Sequence, residues 1–236
     1  MSKPPAPRAP SAAVAAFLEQ AAQVPALRPS PATNARLIFA IDATASRERA
    51  WDQAAGLTAV MLEAAQGIGG LAISLAYYRG YGEFCATPFL KDAQDLARRV
   101  SGVSCLGCKT QIQAVLDHTL SETKRDRIRA LIFIGDAMEE NADALCHAAG
   151  ELGLRGTPAF VFHEGADPVA GAVFRQIARL SGGAYLPFDS ASIAGLRDLL
   201  RAIAVFAAGG QGALAKLPGA AARQVAGLLP KPKAGA

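Results

Sequence analysis

The sequence has no apolar run approaching the roughly 20 residues that a membrane-spanning helix requires, so nothing in it predicts a helical membrane anchor. Four cysteines (Cys85, Cys105, Cys108 and Cys146) in 236 residues do not make the disulfide framework of a small secreted domain. Residues Met1–Pro10 are rich in proline and alanine and hold no apolar signal core, which predicts a cytoplasmic protein. Aromatic residues make up only 6% of the chain while alanine is abundant, a balance that suits helices packed closely on a sheet.

Several catalytic signatures are missing as well. There is no G-x-x-x-x-G-K-[ST], and so no P-loop nucleotide site. Gly67-Ile68-Gly69-Gly70 is not the dinucleotide fingerprint and closes a helix where that fingerprint would open one. No serine sits in a G-x-S-x-G elbow. The formal net charge of +4 conceals an uneven distribution. Residues 1–36 carry four basic side chains and one acid, and residues 199–236 carry five and none, which leaves −4 on the body between them. A basic nucleic-acid groove in the body is therefore not expected. The basic end is suited to touch an acidic partner or a membrane surface.

Half the residues, 51%, are hydrophobic, enough for a sizeable core. The stretch Leu37-Ile38-Phe39-Ala40-Ile41 reads as a strand buried on both faces, and it stops abruptly at Asp42. A long amphipathic helix follows from about Arg47 to Gln66. Leu71–Tyr78 and Glu83–Thr87 flank a Gly80-Tyr81-Gly82 turn and predict a hairpin. Further strands are expected at Arg129–Gly135, Thr157–His163 and Ala184–Phe188, each separated from the next by a helix. Asn141 is placed to cap one of those helices. This alternation defines an α/β protein with a mainly parallel sheet. The expected organisation is a Pro/Ala-rich segment with a short helix over 1–34, one domain over 35–208, and a flexible basic tail over 209–236. In the tail, Gly209, Gly210 and Gly212 are read as a break and Ala220–Leu229 as a marginal short helix.

Three strand ends carry hard oxygen donors. The first holds Asp42, Thr44 and Ser46 at alternate positions, so that their side chains can converge on one point. The second loop holds Thr110 at a helix start, and the third holds Asp136 directly after an apolar strand. Carboxylates and hydroxyls suit Mg²⁺ or Mn²⁺ and not a soft metal. The carboxyl ends of strands are where open α/β sheets bind ligands.

Asp42-Ala43-Thr44-Ala45-Ser46, a distant Thr110 and a distant Asp136 resemble the metal-ion-dependent adhesion site (MIDAS) of von Willebrand factor type A (VWA) domains, over roughly residues 35–208. The family motif is D-x-S-x-S followed by a Thr and an Asp. The resemblance implies a Rossmann-like three-layer sandwich whose six-stranded sheet has one antiparallel edge strand. It also implies an intracellular bacterial type of domain with one Mg²⁺ or Mn²⁺ at the carboxyl edge. Thr44 and Ser46 would bind the metal directly, Thr110 directly or through water, and Asp42 and Asp136 through water. The implied partner is a protein with an exposed Asp or Glu that completes the metal shell, and the implied role is binding, not catalysis. Two departures stand out. Thr44 replaces the usual serine and adds a methyl group that stiffens χ1. Glu139 and Glu140 add negative charge after Asp136, where they either border the ligand surface or suit a helix dipole.

His163 ends a strand on the same edge and is a further candidate for the ligand surface. The Cys105-Leu106-Gly107-Cys108 spacing with Cys146-His147 is a weak zinc candidate, because no second CxxC exists. The competing functional readings are a metal-dependent hydrolase with Glu139 or His163 as base, and a structural domain with an unoccupied metal site.

Overall fold

The computed structural model describes residues 35–43, 48–80, 82–100, 109–188 and 193–230, which lie in one compact unit. The Pro/Ala-rich segment 1–34, Thr44, Ser46, Cys105, Cys108 and the last six residues lie outside the described residues. Six strands form the sheet: β1 (Ala35–Asp42), β2 (Leu71–Arg79), β3 (Glu83–Ala86), β4 (Ile128–Gly135), β5 (Ala159–Glu164) and β6 (Ala184–Phe188). Their order is β3-β2-β1-β4-β5-β6. All neighbours are parallel except β3, which folds back antiparallel on β2 and closes one edge. The helices are α1 (Glu48–Ala65), α2 (Ala93–Val100), α3 (Ile112–Arg125), α4 (Ala142–Leu154), α5 (Pro168–Ser181), α6 (Ile193–Lys216) and α7 (Ala220–Leu228).

The alternation of the strands sorts the core into two layers. Leu37, Phe39 and Ile41 of β1 and Ile132 and Ile134 of β4 pack with α1, α2, α6 and α7 on one face. Ile38, Ala40, Tyr78, Leu131 and Phe133 pack with α3, α4 and α5 on the other. Because both faces are covered, β1 must be apolar at every interior position, and from Leu37 to Ile41 it is at most 1% exposed. Local signals set the helix ends. Asn141 Oδ1 accepts from Ala144 N at 2.9 Å to start α4. The Asp167 carboxylate accepts from Val169 N and Ala170 N ahead of Pro168 to start α5. Gly183 lies so close to the Ala159 carbonyl that a Cβ would not fit.

The domain extends further than the sequence predicts. Residues 209–230 do not leave the body as a flexible tail. α6 continues through the glycines to Lys216, with a kink where Gly210 takes φ 70° and ψ −168°. Past the kink, Leu214, Ala222, Val225 and Leu229 are buried in the same layer as Leu200 and Ile203. Gln211 Nε2 donates to the Pro230 carbonyl at 3.0 Å. Tertiary burial stabilises a nine-residue helix that would be marginal alone. Among the described residues no helix is long and apolar enough to cross a membrane.

Truncation after Gly210 is therefore expected to lower the thermal midpoint sharply. Leu214→Ala alone should cost about 2–5 kcal/mol, the range for emptying a buried leucine site. Chemical denaturation of the two variants against the wild type measures both effects. An unchanged stability after truncation would return the segment to the status of a dispensable tail.

Candidate metal centre

Because the strand order runs β3-β2-β1-β4-β5-β6, the connections leave β1 and β4 toward opposite sides, the switch point at whose carboxyl ends open α/β sheets form a ligand crevice. β1 and β4 deliver Asp42 and Asp136 to that crevice. Asp42 is the last residue of β1 and is 1% exposed. It lies in the parallel register opposite Tyr78 of β2, and Ala43 N donates to the Tyr78 carbonyl at 3.1 Å. Asp136 follows Gly135 at the end of β4 and is half-buried.

The Tyr78 hydroxyl reports how these groups are arranged. Its pKa is pushed well above the ordinary value of 10.0, first by burial and then by the Asp42 charge. The charges of Glu140 and Asp136 add to the effect. Burial is thus the first cause, and the negative charge of Asp42, its partner in the β1–β2 register, is the second. The third loop is also tied to the second. Thr110, 7% exposed, uses its hydroxyl oxygen to accept from Glu139 N at 3.1 Å. Glu140 accepts from Ile112 N at 2.5 Å and from Gln113 N at 2.9 Å, one carboxylate oxygen to each amide. The structure therefore sets Asp42 and Asp136 at the ends of adjacent parallel strands and ties Thr110 and the start of α3 to Glu139 and Glu140 of the β4–α4 loop.

Glu140 is not free to border a ligand surface, because its carboxylate is engaged on the amide end of α3. The helix that follows it, α4, is capped by Asn141. His163 is likewise corrected. It is 2% exposed and turned under α5, with Nδ1 2.8 Å from the Tyr185 hydroxyl and its ring edge-on to Phe174. The strand alternation directs it inward, so it is not a ligand-surface residue. Tyr78 and the cross-loop role of Glu140 were missed from the sequence. A polar-tipped residue closing an otherwise apolar strand beside β1 was the available signal for Tyr78.

The donor set fits a hard divalent cation, since carboxylates and a hydroxyl line the edge and the nearest imidazole is turned away. Among the described residues no group of three or more His, Cys, Asp or Glu side chains is arranged to enclose a metal by itself. A cation here depends on hydroxyl donors and water as much as on acids. Cys146 is half-buried on α4, where burial first and Asp143 second push its thiol pKa up. That opposes the thiolate a zinc site needs.

No protein-family model and no curated protein matches the sequence. Solved structures do match the fold. The VWA domain of SpRpn10 superposes with a TM-score of 0.54 at 7% identity, over 66% of this chain and 89% of that one. The vWF domain of the type V pili tip protein Mfa5 from Porphyromonas gingivalis gives 0.54 at 11% identity, over 72% and 95%. A von Willebrand factor type A structure from Catenulispora acidiphila gives 0.54 at 15% identity, over 74% of this chain and 43% of that one. The chain has a VWA-like, Rossmann-like fold: a mixed six-stranded sheet with one antiparallel edge strand and helices on both faces.

The raised Tyr78 pKa carries a stability prediction. The folded protein holds this proton more tightly than the unfolded chain. The associated stability is complete below about pH 10 and is lost as pH rises further toward the folded pKa. Denaturation between pH 8 and 11 should show wild type losing stability above pH 10 more steeply than Tyr78→Phe, which cannot ionise there. Equal slopes would mean that folding does not raise the Tyr78 pKa.

Proposed function

We propose that this chain is a protein-interaction module whose MIDAS-type edge uses a divalent cation, Mg²⁺ or Mn²⁺, to dock an acidic residue of a partner protein. The observation that carries the reading is the placement of Asp42 and Asp136 at the ends of adjacent parallel strands, with Thr110 hydrogen-bonded to the β4–α4 loop, at the switch point of the sheet. Asp42 and Asp136 would hold the metal's water shell in place, and Thr110 would offer its remaining lone pair. Thr44 and Ser46 would supply the direct hydroxyl ligands that the resemblance implies. A bound cation would supply an electrophilic open position for a partner's carboxylate oxygen.

Asp42 and Asp136 together offset the charge of a divalent cation, and Glu140 is partly offset by the amide end of α3, a partial positive charge of about half a unit. The exposed Glu139 beside them adds negative charge that favours the cation and works against an acidic ligand, so docking of a partner's carboxylate depends on the cation's open position. Binding is preferred to catalysis because no nucleophile–base pair lies at this edge among the described residues. The one imidazole nearby, His163, faces the interior. The inference from fold to protein binding is analogy, and the named residues are what make it testable.

Millimolar Mg²⁺ or Mn²⁺ should raise the thermal midpoint, because a ligand that binds only the folded state stabilises it, by about 2.7 kcal/mol at a hundred times its Kd. The double variant Asp42→Ala, Asp136→Ala should lose that shift. A wild-type midpoint indifferent to both metals would contradict the reading.

A further inference from the structure

The first turn of a helix leaves backbone N–H groups without partners and carries a partial positive charge. At α3 the residue in the capping position, Gln111, makes no side-chain cap. The cap comes from Glu140, 28 positions beyond Ile112. Glu140 closes one carboxylate oxygen on Ile112 N at 2.5 Å and the other on Gln113 N at 2.9 Å. Its neighbour Glu139 donates its own N–H to the Thr110 hydroxyl oxygen at 3.1 Å. Two consecutive residues of the β4–α4 loop thus grip Thr110 and the start of α3. Asp136, at the head of that loop, and Thr110, two residues ahead of α3, are thereby held at a fixed separation.

We infer that Glu140 is a positioning residue that makes this edge receptive to a divalent cation. It locks Thr110 to the Asp136 loop, and its full negative charge outweighs the positive end of α3 that would otherwise face the metal. The inference rests on the reading that the edge takes a cation. It goes further in assigning a determinant of affinity that is itself no ligand. A helix amide end two residues from a ligating hydroxyl opposes a cation, and a serine or asparagine cap would satisfy the N–H groups without removing that opposition. A bidentate carboxylate does both. This accounts for an acid at a place where an ordinary cap would be enough for folding.

The test is titration calorimetry of the full chain with Mn²⁺ alone, at fixed pH and ionic strength, alongside thermal midpoints measured without metal. Glu140→Gln retains one acceptor for the α3 amides and removes the charge, and it should weaken Mn²⁺ binding about tenfold. Glu140→Asp keeps the charge on a shorter arm and should recover part of that loss. Adding Gln111→Ser to Glu140→Ala gives α3 its own cap. It should restore the thermal midpoint while leaving Mn²⁺ binding weak. Wild-type binding with Glu140→Gln within twofold of it would overturn this inference alone. So would affinity that returns together with the midpoint in the Gln111→Ser background, because Glu140 would then be only a helix cap. Absence of Mn²⁺ binding by the wild type would overturn the metal reading itself, and this inference with it.

Discussion

Everything at the candidate site depends on β1 being the interior strand from which the sheet reverses direction. β1 pairs in parallel with β2 on one side and β4 on the other, and helices cover both of its faces. Such a strand has no solvent-facing side, so its polar residues can appear only at its end. That requirement places Asp42 at the carboxyl edge. The same rule applied to β4 places Asp136 next to it. The crevice between two diverging connections then supplies the space for a ligand. The chemistry of the site follows from a packing constraint before any particular ligand is considered.

The second organising feature is electrostatic. Carboxylates stand at the adjacent ends of β1 and β4, and Asp42 lies opposite the buried Tyr78 in the strand register. Acids gathered in a partly dehydrated place repel one another unless positive charge is supplied. Part of it comes from the amide end of α3, which Glu140 covers. In the proposed reading a divalent cation supplies the rest. The first of these sources explains why the Thr110 segment and the β4–α4 loop, distant in sequence, are tied together by hydrogen bonds at this edge.

Much of this was legible in the sequence where a residue's role depends on its own segment. Leu37–Ile41 and Ala130–Ile134 are apolar at every position, as strands buried on both faces must be, and each runs to an acid. Asn141, Asp167 and Pro168 announce their helix starts locally. The roles that were not legible depend on partners remote in sequence. Glu140 lies next to the cap of α4 yet caps α3, and no local pattern encodes that. Tyr78 matters because the β1–β2 register sets it opposite Asp42. The segment beyond residue 208 looks weak by composition, with Gly209, Gly210 and Gly212 in a row of small residues. Leu214, Val225 and Leu229 nevertheless find the open end of the α1–α6 layer. His163 was placed correctly on its strand, but its facing inward depended on strand parity.

The most direct test of the central claim is anomalous diffraction from crystals of the full chain grown with saturating Mn²⁺. The account predicts one strong peak at the carboxyl edge of β1 and β4. The Thr110 hydroxyl should lie in the metal's shell, with the Asp42 and Asp136 carboxylates one water away. No peak at that edge, or one that avoids Asp42 and Asp136, would contradict it.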